Sequence, residues 1–188
     1  MDSDFSEFLK PLDSKESQVL LTNALQVADI LDWILHQVGP SDIFQTTFSV
    51  SEEFLRRLFH LRKDGLVKSA SLLIDHKASN KTVKLWLFIS AVYERVFMAD
   101  NHSKILLVQA RNGKRVSVIT SQNLTRGNRF ESTFITTEQE VFSDLKKNFE
   151  TISDYHSVPL DELLGRNIEE NRGMGGNISA DIRHGCHS

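Results

Sequence analysis

The chain has 188 residues, 40% hydrophobic and 25% charged, with a formal net charge of −3, the ordinary balance of a globular domain. A slightly acidic chain is not a general polyanion binder, so any nucleic-acid site has to be a local basic patch. One cysteine, Cys186, rules out an internal disulfide framework and fits a reducing compartment, and no apolar run approaches the ~20 residues of a membrane span.

The acidic start, Met1-Asp2-Ser3-Asp4, lacks the basic and then apolar regions of a signal peptide, so a cytoplasmic location is expected. Residues 1–16 are polar around Phe5, Phe8 and Leu9, with Pro11 as a break; they form an N-terminal arm or a short leading helix. A first strand is expected over 18–22, and Asn23 is placed to cap a helix. Leu25, Ala28, Leu31, Leu35 and Val38 recur at helical spacing up to Gly39-Pro40, which stops the helix.

Residues 42–50, rich in Ile, Phe and Thr, predict a second strand. Ser51-Glu52-Glu53 is a helix start, a cap followed by acids in the first turn, and the helix runs to about Gly65. A third strand over 69–75 ends in Leu72-Leu73-Ile74, the continuous apolar run of a strand buried on both faces. A helix over 81–92 and short strands over 94–99 and 103–109 follow. Arg111-Asn112-Gly113-Lys114 carries the Asn-Gly signal of a hairpin turn, and the chain returns over 116–123. A strand over 130–136 leads to Thr137, the expected cap of a last helix, and residues 159–164 close the fold.

Strands alternating with helices, then hairpin-linked strands, predict an α/β fold with a mixed central β-sheet flanked by helices on both faces. The expected organisation is an arm over 1–16, one domain over 17–164 and a flexible Gly-rich tail over 165–188. His184, Cys186 and His187 in that tail do not make a recognised closed metal site.

Two stretches carry candidate chemistry. Asn101-His102-Ser103-Lys104 heads one apolar run, and Ser121-Gln122-Asn123 ends the next. Residues two apart on a strand share a face, so His102 and Lys104 are expected to point one way, as are Ser121 and Asn123. Alone, His-x-Lys is a weak motif and describes a solvated strand end as well as a site. Asp75-His76, another acid-imidazole neighbour pair, is read as an ordinary polar strand end.

Taken together, His102-x-Lys104, Ser121-x-Asn123 and the following Glu131 resemble the signature of the phospholipase D superfamily, closest to its short, single-motif nuclease-like members. The sequence departs from the common pattern at Gln109, where an Asp is usual, and at Thr120, where a Gly usually precedes the Ser. Tyrosyl-DNA phosphodiesterase-like members also lack that Asp.

The resemblance implies a phospholipase D-like fold and phosphodiester cleavage without a cofactor or metal, because Lys104 supplies the positive charge. His102 is the implied nucleophile and forms a phosphohistidine. Lys104 and Asn123 hold the non-bridging oxygens, Ser121 adds a hydrogen bond, and Glu131 orients the imidazole. Arg126 and Arg129, in the loop after Asn123, are candidate substrate-binding cations for a nucleic-acid backbone. Because His102-x-Lys104 occurs once, the resemblance implies a homodimer joined through the active site. The implied partner is DNA, in a repair, restriction or defence setting that includes larger complexes. Two alternatives stay open: a catalytically decayed nucleic-acid-binding module, and a phosphodiesterase of phospholipid or another small diester.

Overall fold

The structure, a computed structural model, describes residues 5–162, with backbone alone at 78–83. The expected tail over 165–188 lies outside the described residues. The elements are β1 (Ser17–Thr22), α1 (Val27–Val38), β2 (Ser41–Thr47), α2 (Glu52–Lys63), β3 (Val67–Asp75), α3 (Ser79–Val92), β4 (Arg95–Ala99), β5 (Ile105–Ala110), β6 (Arg115–Thr120), β7 (Glu131–Thr136), α4 (Gln139–Tyr155) and β8 (Val158–Pro159).

One mixed sheet runs β1-β7-β6-β5-β2-β3-β4-β8. The block β2, β3 and β4 is parallel, and the pairs on either side of it are antiparallel. The parallel strands need covered faces, and the apolar run of β3 supplies both sides. Leu72 and Ile74 face the core under α1, α2 and α3, and Leu73 faces a smaller cluster under α4. The mixed sheet with helices on both faces is the expected architecture, a three-layer α/β/α sandwich.

Local signals explain most boundaries. In α1, Ile30, Leu31, Ile34 and Leu35 are buried at helical spacing. Ser51 caps α2 by accepting the Phe54 N–H at 3.3 Å. Gly113 closes the β5–β6 hairpin at φ +89°, a left-handed conformation that a Cβ disfavours. Just before β4, the Glu94 carboxylate takes Arg62 at 2.5 Å and the Ala70 N–H at 2.6 Å. Burial works to raise the Glu94 pKa, but these donors outweigh it and hold the carboxyl below its ordinary value.

Several expectations are corrected. Gln26, not Asn23, takes the cap position of α1; its N–H donates to Asp29 Oδ2 at 2.8 Å, and its side-chain amide bonds the Gly127 backbone. Thr137 does not cap α4; its hydroxyl lies 3.4 Å from the Glu16 carbonyl, and Glu138 takes the cap position. The described part of the segment before β1 packs against the core. Leu9 and Leu12 are buried, and Gln18 exchanges two 2.9 Å hydrogen bonds with the Lys10 backbone. Strand β5 begins at Ile105 and β6 ends at Thr120, so 101–104 and 121–123 are loop, not strand.

Candidate active site

A cleft of about 660 Å³ opens beside the carboxyl ends of the parallel strands, the position where open α/β sheets place ligands. His102, Lys104, Ser121, Asn123, Arg129 and Glu131 line it together.

The strand-alternation rule does not position His102, because 101–104 is loop. A polar web does so instead. Asp75, buried at the end of β3, accepts the Asn101 N–H on Oδ2 at 2.9 Å and the Lys77 N–H on Oδ1 at 2.7 Å. Asn101 is also buried. Its Nδ2 donates to the Thr47 carbonyl at 3.1 Å, and its Oδ1 accepts the Ser103 N–H at 3.2 Å. Thr46 Oγ1 accepts the Ser103 hydroxyl at 2.8 Å and the Ile105 N–H at 3.0 Å. The residues on both sides of His102 are thus anchored, while its own side chain is exposed. Its ring meets Phe48 edge-to-face with centroids 5.8 Å apart. Lys104 turns its ammonium onto the His102 main-chain carbonyl at 2.8 Å, and both residues line the cleft.

The second stretch is set by different contacts. The Ser121 N–H donates to the Ser132 carbonyl at 3.0 Å, and Ser121 Oγ accepts the Ser132 N–H at 3.1 Å and donates to Glu131 Oε2. Asn123 Oδ1 accepts the Phe48 N–H at 3.2 Å. Since an N–H must face an oxygen, this fixes the amide and leaves Nδ2 as the group available to donate. Thr47 Oγ1 adds a contact to Asn123 Oδ1 at 3.4 Å and accepts the Leu124 N–H at 3.2 Å.

Glu131 lines the cleft, and its contacts are with Ser121 and Arg129. It receives the Ser121 hydroxyl and lies 3.9 Å from Arg129 Nε; among the described residues no hydrogen bond joins it to the His102 ring. The two candidate arginines separate. Arg129, 84% exposed at its side chain, lines the cleft. Arg126 turns away to Glu53 at 3.3 Å and lines the neighbouring groove with Gln26 and Arg57. Arg111 and Lys114, at the far hairpin, pair with Asp42 at 2.8 Å and Asp13 at 2.9 Å.

Asn101, Thr46, Thr47 and Asp75 were not singled out as site residues by sequence. The one available signal is that polar residues close three of the apolar stretches that become β2, β3 and β4. Asp75, His76 and Asp100 do approach one another closely enough to share a cation, but both Asp75 oxygens already hold backbone N–H groups.

No family model and no curated protein matches the sequence. Solved structures do. Nuc from Salmonella typhimurium, a phospholipase D family member, superposes with TM-score 0.56 at 12% identity over 77% of this chain and 98% of its own. The fold is that of the phospholipase D superfamily. NucT from Helicobacter pylori gives the same TM-score, identity and coverage. Phosphatidylserine synthase from Haemophilus influenzae superposes with TM-score 0.53 at 14% identity, over 77% of this chain but 40% of the synthase.

Within the phospholipase D fold the two sequence departures take on positions. Gln109 lies five residues along β5 from Lys104, about 16 Å away at strand rise, opposite Asp42 and Arg115. It lines no part of the cleft. Thr120 lines the cleft and uses its hydroxyl on the Ser132 carbonyl at 3.0 Å and on Thr133 Oγ1 at 2.9 Å. A side chain at this position therefore ties the Ser121 loop to β7.

Proposed function

We propose that this protein is a metal-independent phosphodiesterase that cleaves nucleic acid, DNA in particular, through a phosphohistidine on His102. The observation that carries the reading is the single cleft in which an exposed imidazole, an ammonium, an amide donor and a hydroxyl converge.

A nitrogen of the His102 imidazole attacks phosphorus, and the bond from phosphorus to the leaving oxygen breaks. Lys104 and the Nδ2 of Asn123 stabilise the charge spread over the non-bridging oxygens. A second histidine gives its proton to the leaving oxygen. Water then attacks the phosphohistidine, passes a proton to that second histidine, and the N–P bond breaks to regenerate His102. Ser121, held by Glu131, adds a donor or acceptor at the rim. Lys104 supplies the cation that a metal provides in other phosphoryl-transfer sites. The second histidine comes from another copy of the chain. Exposed Arg129 at the cleft wall suits a polyanionic backbone better than a lipid.

The test is cleavage in EDTA of single- and double-stranded DNA, RNA and phosphatidylcholine vesicles. DNA is expected to be cut, and an acid-labile phosphoenzyme to be trapped on wild type but not on His102→Ala. Lys104→Met is expected to lower turnover by roughly 10²–10³-fold. Cleavage that persists in His102→Ala ends this mechanism.

One observation favours the binding-only alternative. The carboxylate expected to orient the imidazole is engaged by Ser121 instead. If the protein binds DNA, cuts nothing, and His102→Ala binds equally well, that alternative holds.

A further inference from the structure

The His102 cleft has two chemically different sides. One carries His102, Lys104, Ser121 and Asn123, the groups suited to a phosphate. The other carries Ile105, Ile119 and Phe130. Ile105 and Ile119 are paired positions on β5 and β6, so their side chains neighbour each other on one sheet face. Ile119 is 39% exposed, and Phe130, at the entrance to β7, is 71% exposed.

The chemistry at phosphorus gives this second side no task. A nucleophile, a cation and hydrogen-bond donors suffice for the diester, and a phenyl ring left in water forgoes the stabilisation that burial returns. Single exposed apolar residues are ordinary on a surface, but here three gather in the cleft that holds the candidate nucleophile. Arg129 and Glu131 flank Phe130 in sequence and put a donor and an acceptor 3.9 Å apart in the same cleft. An apolar wall edged by a donor and an acceptor is the complement of a nucleobase, which has apolar π-faces and a polar edge.

We propose that Phe130 is a base-stacking residue: the nucleobase next to the scissile phosphate lies against its ring, with Ile119 and Ile105 beside it, while that phosphate sits at His102. The inference rests on the phosphodiesterase reading and names the part of the substrate that the reading leaves open. Every base has a π-face, so the wall sets the register of the strand in the cleft and is tolerant of sequence. Paired DNA is disfavoured, because its bases have to leave the stack to reach a side chain. An acyl chain is the poorer occupant, since Thr120, Ser121 and Arg129 interrupt the apolar wall.

The test is the cleavage profile of a single-stranded oligodeoxynucleotide carrying one abasic spacer, resolved linkage by linkage on a sequencing gel in EDTA. The remaining linkages of the same strand are the internal reference. Wild type is expected to cut one linkage beside the spacer about 5- to 150-fold less than the others. Phe130→Ala is expected to cut every linkage with a lower kcat/KM, chiefly through a raised KM, and to show no dip at the spacer, because ring and base are two halves of one contact. Phe130→Trp should restore the dip. Phe130 is exposed, so both variants are expected to keep the circular dichroism and sedimentation of wild type; a dip lost only together with a change in either overturns the inference. A flat wild-type profile, or a dip that persists in Phe130→Ala, also overturns it and leaves the phosphodiesterase reading standing. Loss of phosphatidylcholine cleavage in Phe130→Ala with the strand profile unmoved gives the wall to an acyl chain, again overturning it. If wild type cuts nothing, the phosphodiesterase reading fails by itself, and fluorescence anisotropy with a thymidine strand and an all-spacer strand decides on the wall: tighter binding of the thymidine strand by wild type but not by Phe130→Ala supports the stack, and equal binding of the two strands overturns it.

Discussion

Replacing Asn101 by aspartate changes one NH₂ into one oxygen, and the web around His102 makes that change expensive. The Nδ2 of Asn101 donates to the Thr47 carbonyl at 3.1 Å. In Asn101→Asp that donor becomes an acceptor facing an acceptor, which costs about 1 kcal/mol for the lost bond and more for the unpaired carbonyl. The new carboxylate is also buried and sits next to Asp75, whose Oδ2 holds the Asn101 backbone N–H at 2.9 Å. An uncompensated buried charge costs about 3–5 kcal/mol, so the variant should lose roughly that amount at neutral pH.

The penalty is tied to ionisation. Burial and the neighbouring Asp75 raise the new carboxyl's folded-state pKa above its unfolded value of about 3.9. The protonated acid can again donate to Thr47, so the stability difference from wild type should shrink as pH falls through the raised folded-state pKa. Asn101→Ala should cost about 2 kcal/mol, with no such pH dependence. Urea unfolding of wild type and both variants from neutral to mildly acidic pH measures the differences. If Asp and Ala cost the same and their difference does not move with pH, the Asn101 side chain does not bridge β2 to the His102 loop, and the account of how the nucleophile is held fails.

Three other outcomes follow from the fold. Glu94 has a lowered folded-state pKa, so its stabilisation is present above its unfolded value of about 4.3 and is lost as pH falls through the folded value; Glu94→Gln should flatten the acid limb of a urea-midpoint profile. Leu72→Ala empties a position that is 0% exposed in the main core and should cost about 2–5 kcal/mol by chemical denaturation. Gly113→Ala forces a Cβ into a φ of +89° and should cost about 1 kcal/mol or more, seen as a lower melting temperature with cleavage of diesters unchanged, since the hairpin lies at the far end of β5 from the cleft.

What the sequence makes legible is what is local. The spacing of Ile30, Leu31, Ile34 and Leu35, the Ser51 cap and the Asn112-Gly113 turn each encode their element within one turn or one hairpin. Leu72-Leu73-Ile74 announces a doubly covered strand because both faces need apolar atoms. Caps were harder: Gln26 and Glu138 take positions that Asn23 and Thr137 suit better by residue type, because the incoming chain decides which residue reaches the helix end. The packing of Leu9 and Leu12 and the pairing of β1 with β7 depend on partners more than a hundred residues away, or on a surface not yet formed, and no window of sequence contains them. The candidate site divides in the same way. His102, Lys104, Ser121 and Asn123 stand in short motifs and are legible. Asn101, Thr47 and Asp75 act only once three strand ends are side by side. Arg126 and Arg129 look equivalent in sequence, and only the course of their loop assigns one to the cleft and the other to the neighbouring groove.

The pairing of Ser17 with Thr136 across the β1–β7 ladder also bears on the order in which the molecule is assembled. β1 is made before β7, the strand it pairs with among the described residues, and more than a hundred residues separate the two. Loop-closure entropy has to be paid across the whole intervening domain before any ladder bond of β1 returns it. The parallel block of β2, β3 and β4 can gather while synthesis continues; the first strand waits with Val19 and Leu21 in solvent. Adding β1 to the edge is therefore expected to be a late event of folding, and a chain shortened before Glu131 would retain an unpaired, apolar strand at its beginning, the kind of segment that draws molecules into aggregates.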